Sequence, residues 1–128
     1  ITMEGCKNTA AIAQRNFDLL KLDNIDLVIG NFNHTINKVT NMIDTIDFAF
    51  FDGNHLKEPT ISYFENCLKR KTNDSIFIFD DIHWSLEMES AWNQIAAHPE
   101  VSVSIDLFAL GIIFFHKELN RENHILRY

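Results

Sequence analysis

The chain has 128 residues, of which 46% are hydrophobic and 23% charged. That is enough for one domain with a buried core, and too ordinary a composition for a disordered or low-complexity segment. Eleven lysines and arginines against 18 acids give a formal charge of −7, which argues against nucleic acid, since a phosphate-backbone partner needs a basic stripe. A cation or a neutral small molecule suits such a surface better. No apolar run approaches the ~20 residues of a membrane span; the longest, Phe108–Phe115, is interrupted by Gly111.

The chain opens on Ile1-Thr2-Met3-Glu4, which reads as the interior of a strand. There is no initiator Met and no basic segment leading into an apolar one. The expectation is therefore a single domain over 1–128, truncated at its N-terminus and cytoplasmic. Cys6 and Cys67 lack a CxxC spacing and read as two buried, reduced thiols.

Further strands are expected at Ile25–Gly30, Ile46–Asp52, Ser75–Asp80, Val101–Phe108 and Gly111–His116. Runs such as Phe48-Ala49-Phe50-Phe51 and Ile76-Phe77-Ile78-Phe79 suit strands buried on both faces of a sheet. The first five strands start roughly 21 to 29 residues apart, room for a crossover helix each time. The helices between them show the 3.6-residue period: Ala13, Phe17 and Leu20, with Asn8 or Thr9 as N-cap; Ile36, Val39 and Ile43; Ile61, Phe64 and Leu68 behind Pro59; and Met88, Ala91, Trp92 and Ile95. These stripes predict packing against the sheet. Trp84 reads as packing over the sheet edge, with the wall of a substrate pocket as the other reading.

Only Ala109-Leu110-Gly111 separates the last two strands, so they form an antiparallel hairpin, with Gly111 supplying a positive φ at its turn. Val101, Val103, Ile105 and Leu107 alternate with Ser102, Ser104 and Asp106. His124-Ile125-Leu126 reads as a short final edge. The fold class is α/β: a mostly parallel, Rossmann-like three-layer sheet closed by an antiparallel hairpin.

In such sheets ligands bind beyond the carboxyl ends of the strands. Those ends carry Glu4-Gly5-Cys6, Gly30-Asn31-Phe32, Asp52-Gly53-Asn54-His55 and Asp80-Asp81-Ile82-His83. Glu4 is placed to accept from two ribose hydroxyls, with Gly5 letting the backbone approach. Asp52 and Asp80 end consecutive strands, which as neighbours lie ~4.8 Å apart. With Asp81 they either converge on one hard cation, which would relieve their mutual repulsion, or are solvated loop acids. His55 and His83 could each be a general base near neutral pH, or equally a loop-orienting histidine bonded to a nearby acid or carbonyl. Walker A, nucleophile-elbow, HExxH and GxGxxG motifs are absent.

In order and spacing, these four strand ends resemble those of class I S-adenosylmethionine-dependent methyltransferases, and most of all the small O-methyltransferase branch with a D-G-x-H turn and a later D-D pair. The resemblance spans nearly the whole chain. It implies the strand order 3-2-1-4-5-7-6, S-adenosylmethionine as cofactor, and a small hydroxylated molecule as substrate. Glu4 would bind the donor's ribose, with Gly5 beside it; Asn31 and Phe32 would border the adenine, and Asp52 would sit next to the donor. Asp52, Asp80 and Asp81 would hold Mg²⁺, and His55 or His83 would take the acceptor's proton, with the likeness not deciding which.

The family's first strand and its Gly-rich loop should precede Glu4 by about twenty residues, and nothing here matches them. The chain alone is therefore expected to bind the donor weakly, or to close the gap by re-pairing or by swapping strands in a homodimer. Two other readings stand beside this one. One is a non-catalytic methyltransferase-like binding or dimerisation module. The other is a Mg²⁺-dependent phosphotransfer domain, against which stand Asn54, where a phosphatase wants a second acid, and the lack of a Lys ending the next strand.

Overall fold

The computed structural model describes residues 1–127. Its elements run β1 (Thr2–Glu4), α1 (Lys7–Leu20), β2 (Leu27–Ile29), α2 (Phe32–Asn41), β3 (Ile46–Phe51), α3 (Lys57–Leu68), β4 (Lys71–Asp80), α4 (Leu86–Ala96), β5 (Val103–Asp106), β6 (Leu110–Phe114) and β7 (Glu122–Ile125). They fall into two compact units that divide after Met42.

The first unit holds a two-stranded parallel sheet, β1–β2, with α1 and α2. Its core is thin: Ala10, Ile36, Val39 and Thr40 are buried. The α1 stripe expected to pack is half-open, with Leu20 65% exposed, because two three-residue strands offer little surface to cover a 14-residue helix. Cys6, rather than Asn8 or Thr9, is the N-cap of α1 and makes no side-chain cap; it is exposed there, against the expectation of a buried thiol, whereas Cys67 is buried. Lys21 ends that helix in the left-handed region, its N–H bonding back to Asp18 and Phe17. Ile43, expected on the α2 stripe, lies beyond the helix end.

The second unit is a five-stranded sheet in the order β3-β4-β6-β5-β7. β3 and β4 are parallel, β6 is antiparallel to both β4 and β5, and β7 runs parallel to β5 as its outer edge. Within the two sheets the orders β1-β2 and β3-β4-β6-β5 correspond to the parts 3-2 and 4-5-7-6 of the expected order, the second extended by β7.

Helices α3 and α4 both pack on one face of this sheet. Phe64 of α3 makes edge contacts with Phe77 and Phe79 of β4, and Trp92 of α4 meets Phe79 at 6.2 Å between centroids. Phe51 stacks on Phe79 at 4.5 Å, and Phe115 meets Phe77 edge-on at 4.8 Å. Aromatic pairs like these add specificity to a core already favoured by area burial.

The opposite face corrects the expectation of burial on both sides. Phe48, Ile76, Phe114 and Val103 form one cross-strand row, and Phe50, Ile78, Ile112 and Ile105 the next. None of the eight is buried; Phe48 is 59% and Phe50 51% exposed. Two further expectations fail. Gly111 lies within β6, opposite Phe79 and Asp106, and the left-handed residue of the hairpin is Phe108 at φ 70°. Trp84 is 72% exposed and so is not buried over the sheet edge. No helix among the described residues is long and apolar enough to cross a membrane.

Candidate functional site

In the first unit the carboxyl ends of β1 and β2 are adjacent, with Glu4 opposite Ile29 and the Gly30 N–H donating to the Glu4 carbonyl at 2.9 Å. The Glu4 side chain curls toward the start of α1, where Oε1 accepts the Cys6 N–H at 2.7 Å. A carboxylate has about four lone-pair sites, so Glu4 keeps acceptor capacity for hydroxyls. Asn31 caps α2, its side chain accepting from the Asn33 N–H at 2.9 Å, and Phe32 opens that helix. Thus Glu4, Gly5, Asn31 and Phe32 gather on one rim.

The sequence favoured Gly5 as the glycine this rim needs, but Gly30 is the constrained one. Gly30 has φ 154°, and a Cβ there would lie 2.9 Å from Thr35 Cγ2. A Cβ on Gly5 would meet nothing closer than 3.9 Å.

In the second unit three predicted residues come together. After β3 the chain turns through Asp52-Gly53-Asn54-His55, with Asn54 and His55 both at positive φ. Asn54 Nδ2 donates to the Tyr63 hydroxyl at 3.0 Å and so pins the turn to α3. His55 Nε2 lies 3.6 Å from Asp52 Oδ1, and Nδ1 lies 3.8 Å from Asp81 Oδ2. Nδ1 is buried without a hydrogen-bond partner, which is costly unless a ligand or movement supplies one. Asp81 is itself left-handed, at φ 55°, a region uncommon for non-glycine residues although Asp enters it more readily than most.

Asp80 is engaged locally, its Oδ1 accepting the Asp81 N–H at 3.0 Å. No group of three or more His, Cys, Asp or Glu among the described residues is spaced to hold a metal ion. Asp52 and Asp81 flank an imidazole instead of converging with Asp80 on one point, so the arrangement does not fit the expected Mg²⁺ site.

His83 goes elsewhere. Its Nε2 meets Asp106 Oδ2 at 2.9 Å and its Nδ1 meets Glu89 Oε1 at 3.1 Å, so both ring nitrogens are taken by carboxylates. The bond to Asp106 holds its pKa above the ordinary 6.5 against the effect of burial, with Glu89 adding to it. Asp106, 7% exposed, would be raised by burial. Bonds from the Phe108 N–H at 2.8 Å, from His83 and from Arg127 Nη1 at 3.0 Å outweigh that and leave it below its usual range. Phe108 stacks on the His83 ring at 5.5 Å, and the Arg127 guanidinium lies over Phe108 at 5.7 Å.

Sequence reading missed Glu89, Asp106 and Arg127. The signal available was the polar row of the alternating strand. Ser104 and Asp106 are the buried residues of β5, facing inward where an apolar row is the usual pattern.

The sequence pattern of the methyltransferase-domain family matches residues 2–82. No curated protein sequence matches the chain. Among solved structures, the O-methyltransferase from Bacillus cereus in complex with SAH is similar at a TM-score of 0.72 and 21% identity, covering 88% of this chain and 61% of that one. The SAH-bound methyltransferase from Podospora anserina is similar at 0.68 and 15%, covering 89% and 59%. The apo TDP-rhamnose 3'-O-methyltransferase of calicheamicin biosynthesis is similar at 0.67 and 18%, covering 88% and 54%. The chain thus spans less than two thirds of each, and at these identities the likeness is one of fold. With most of its length matched by the family pattern, the chain belongs to the methyltransferase-domain family and has the fold of class I S-adenosylmethionine-dependent methyltransferases.

Proposed function

We propose that this chain carries the ribose-binding and proton-accepting residues of an S-adenosylmethionine-dependent O-methyltransferase acting on a small hydroxylated molecule. The observation that carries the reading is the trio at the ends of β3 and β4, where an imidazole with one buried, unpartnered nitrogen stands between two carboxylates. Glu4 is proposed to accept from the ribose hydroxyls, and Asn31 and Phe32 to border the adenine.

The donor, when bound, supplies a sulfonium methyl group that leaves to an oxygen nucleophile. His55 takes the proton of the acceptor hydroxyl as that oxygen bonds to the methyl carbon. Asp52 and Asp81 stabilise the imidazolium that forms, in the way that carboxylates hold and orient a catalytic histidine. Their distances, 3.6 and 3.8 Å, exceed hydrogen-bond length and need to shorten when an acceptor binds. His83 is not chosen as the base because carboxylates occupy both of its nitrogens.

Calorimetric titration of the full-length protein with S-adenosylhomocysteine tests the donor half: Glu4→Gln is expected to weaken binding on the order of 10-fold or more, the loss of a charge-assisted hydrogen bond. His55→Ala tests the other half, with methyl transfer lost and donor affinity kept. Undiminished transfer by His55→Ala would refute the assignment of the base.

A further inference from the structure

The turn that carries Asp81 is held from several sides. Ile82 is fully buried and its N–H donates to the Ala109 carbonyl at 3.3 Å, while the Trp84 N–H closes back on the Asp81 carbonyl at 2.9 Å. The next side chain, His83, reaches two different elements: Glu89 lies one turn into α4, and Asp106 ends β5. Asp106 is in turn fixed by the Phe108 N–H and by Arg127. The Phe108 ring covers the imidazole.

We infer that His83 is a positioning residue. By clamping the β4–α4 turn between Glu89 and Asp106, it keeps Asp81 in its left-handed conformation beside His55. The inference rests on the methyl-transfer reading for its effect on rate, and on the bond network alone for its effect on the turn. With both ring nitrogens held by carboxylates, His83 acts through Asp81 and not on the reactants. Its loss lets the Asp81 carboxylate drift from His55, and displacements of about 1 Å at a reacting centre cost on the order of 100-fold.

The test compares the full-length protein with His83→Phe, which keeps the ring over Phe108 but loses both donors, and with Asp106→Asn. Three quantities are read: affinity for S-adenosylhomocysteine, the rate of methyl transfer from S-adenosylmethionine to catechol as a probe acceptor, and amide hydrogen exchange across Asp81–Trp84. The expected result is a kcat 10- to 100-fold lower per donor-binding site in both variants, donor affinity within about twofold, and faster exchange in the turn. Unchanged kcat per donor-binding site overturns the inference, as does donor affinity falling in step with kcat.

A wild-type protein that does not bind S-adenosylhomocysteine sinks the methyl-transfer reading instead. With that outcome, or with catechol refused, exchange in the turn alone decides about His83: faster exchange supports the clamp and unchanged exchange overturns it. Should His83→Phe not fold, Glu89→Gln, which loosens one side of the clamp at a more exposed carboxylate, serves in its place.

Discussion

Gly111 lies against the indole of Trp92 so closely that a Cβ on residue 111 would be 2.5 Å from Cζ3 and 2.7 Å from Cε3. Trp92 is buried between α4 and the sheet and meets Phe79, so its ring has no room to retreat. Overpacking a tight core costs about 1–3 kcal/mol. Gly111→Ala is expected to lose that much in urea-induced unfolding, although alanine suits a strand better than glycine. An unchanged midpoint would mean that the ring is free to move.

The two faces of the five-stranded sheet predict a contrast. Phe77 is fully buried among Phe51, Phe64 and Phe115, so Phe77→Ala should cost about 3–5 kcal/mol, the transfer and cavity cost of a large core side chain. Phe48, on the open face, should cost about 1 kcal/mol or less when changed to Ala, since little area leaves contact. Equal losses at the two positions in the same unfolding assay would show that the Phe48 face is covered in solution.

Much of this organisation was legible in the sequence. The four helices, the strand ends and the final hairpin follow from 3.6- and two-residue periods, and the α4 stripe of Met88, Ala91, Trp92 and Ile95 is buried as read. The rim acids are also legible, because topology puts ligands at carboxyl ends of strands. Side-chain direction is not. Asp52 and Asp81 turn toward His55, whereas His83, two residues after Asp81, turns toward Asp106, a partner 23 residues away that only the tertiary fold brings near. Nor does periodicity tell which face of an alternating strand is covered: Ser104 and Asp106 face inward, and Val103 and Ile105 do not.

The two thiols should differ sharply. Cys6 is exposed at the start of α1, and the Thr9 backbone N–H, then its hydroxyl, then the Asn8 N–H favour its thiolate and lower its pKa. Burial alone pushes Cys67 up to about 12. A thiol reagent at mildly alkaline pH should label one equivalent rapidly, with peptide mapping placing it on Cys6, and label Cys67 only after denaturant is added. Rapid labelling of two equivalents in the native protein would contradict the burial of Cys67.

The His83–Asp106 pair fixes the sign of a pH dependence. Because His83 titrates above 6.5 in the folded chain, its contribution to stability is complete below that value and is lost as pH rises through the raised pKa. Asp106 titrates below 3.8, so its contribution is present above 3.8 and is lost as pH falls through the lowered one. The stabilisation therefore peaks between pH 3.8 and 6.5. Expressed as the Tm of the wild type minus that of His83→Phe, it should be largest in that window and shrink steadily toward pH 9. Subtracting the variant removes the titration of the other histidines, which both proteins share. A difference that stays flat or grows between pH 6 and 9 would mean that the imidazole is neutral in the folded chain and bonds one carboxylate at most.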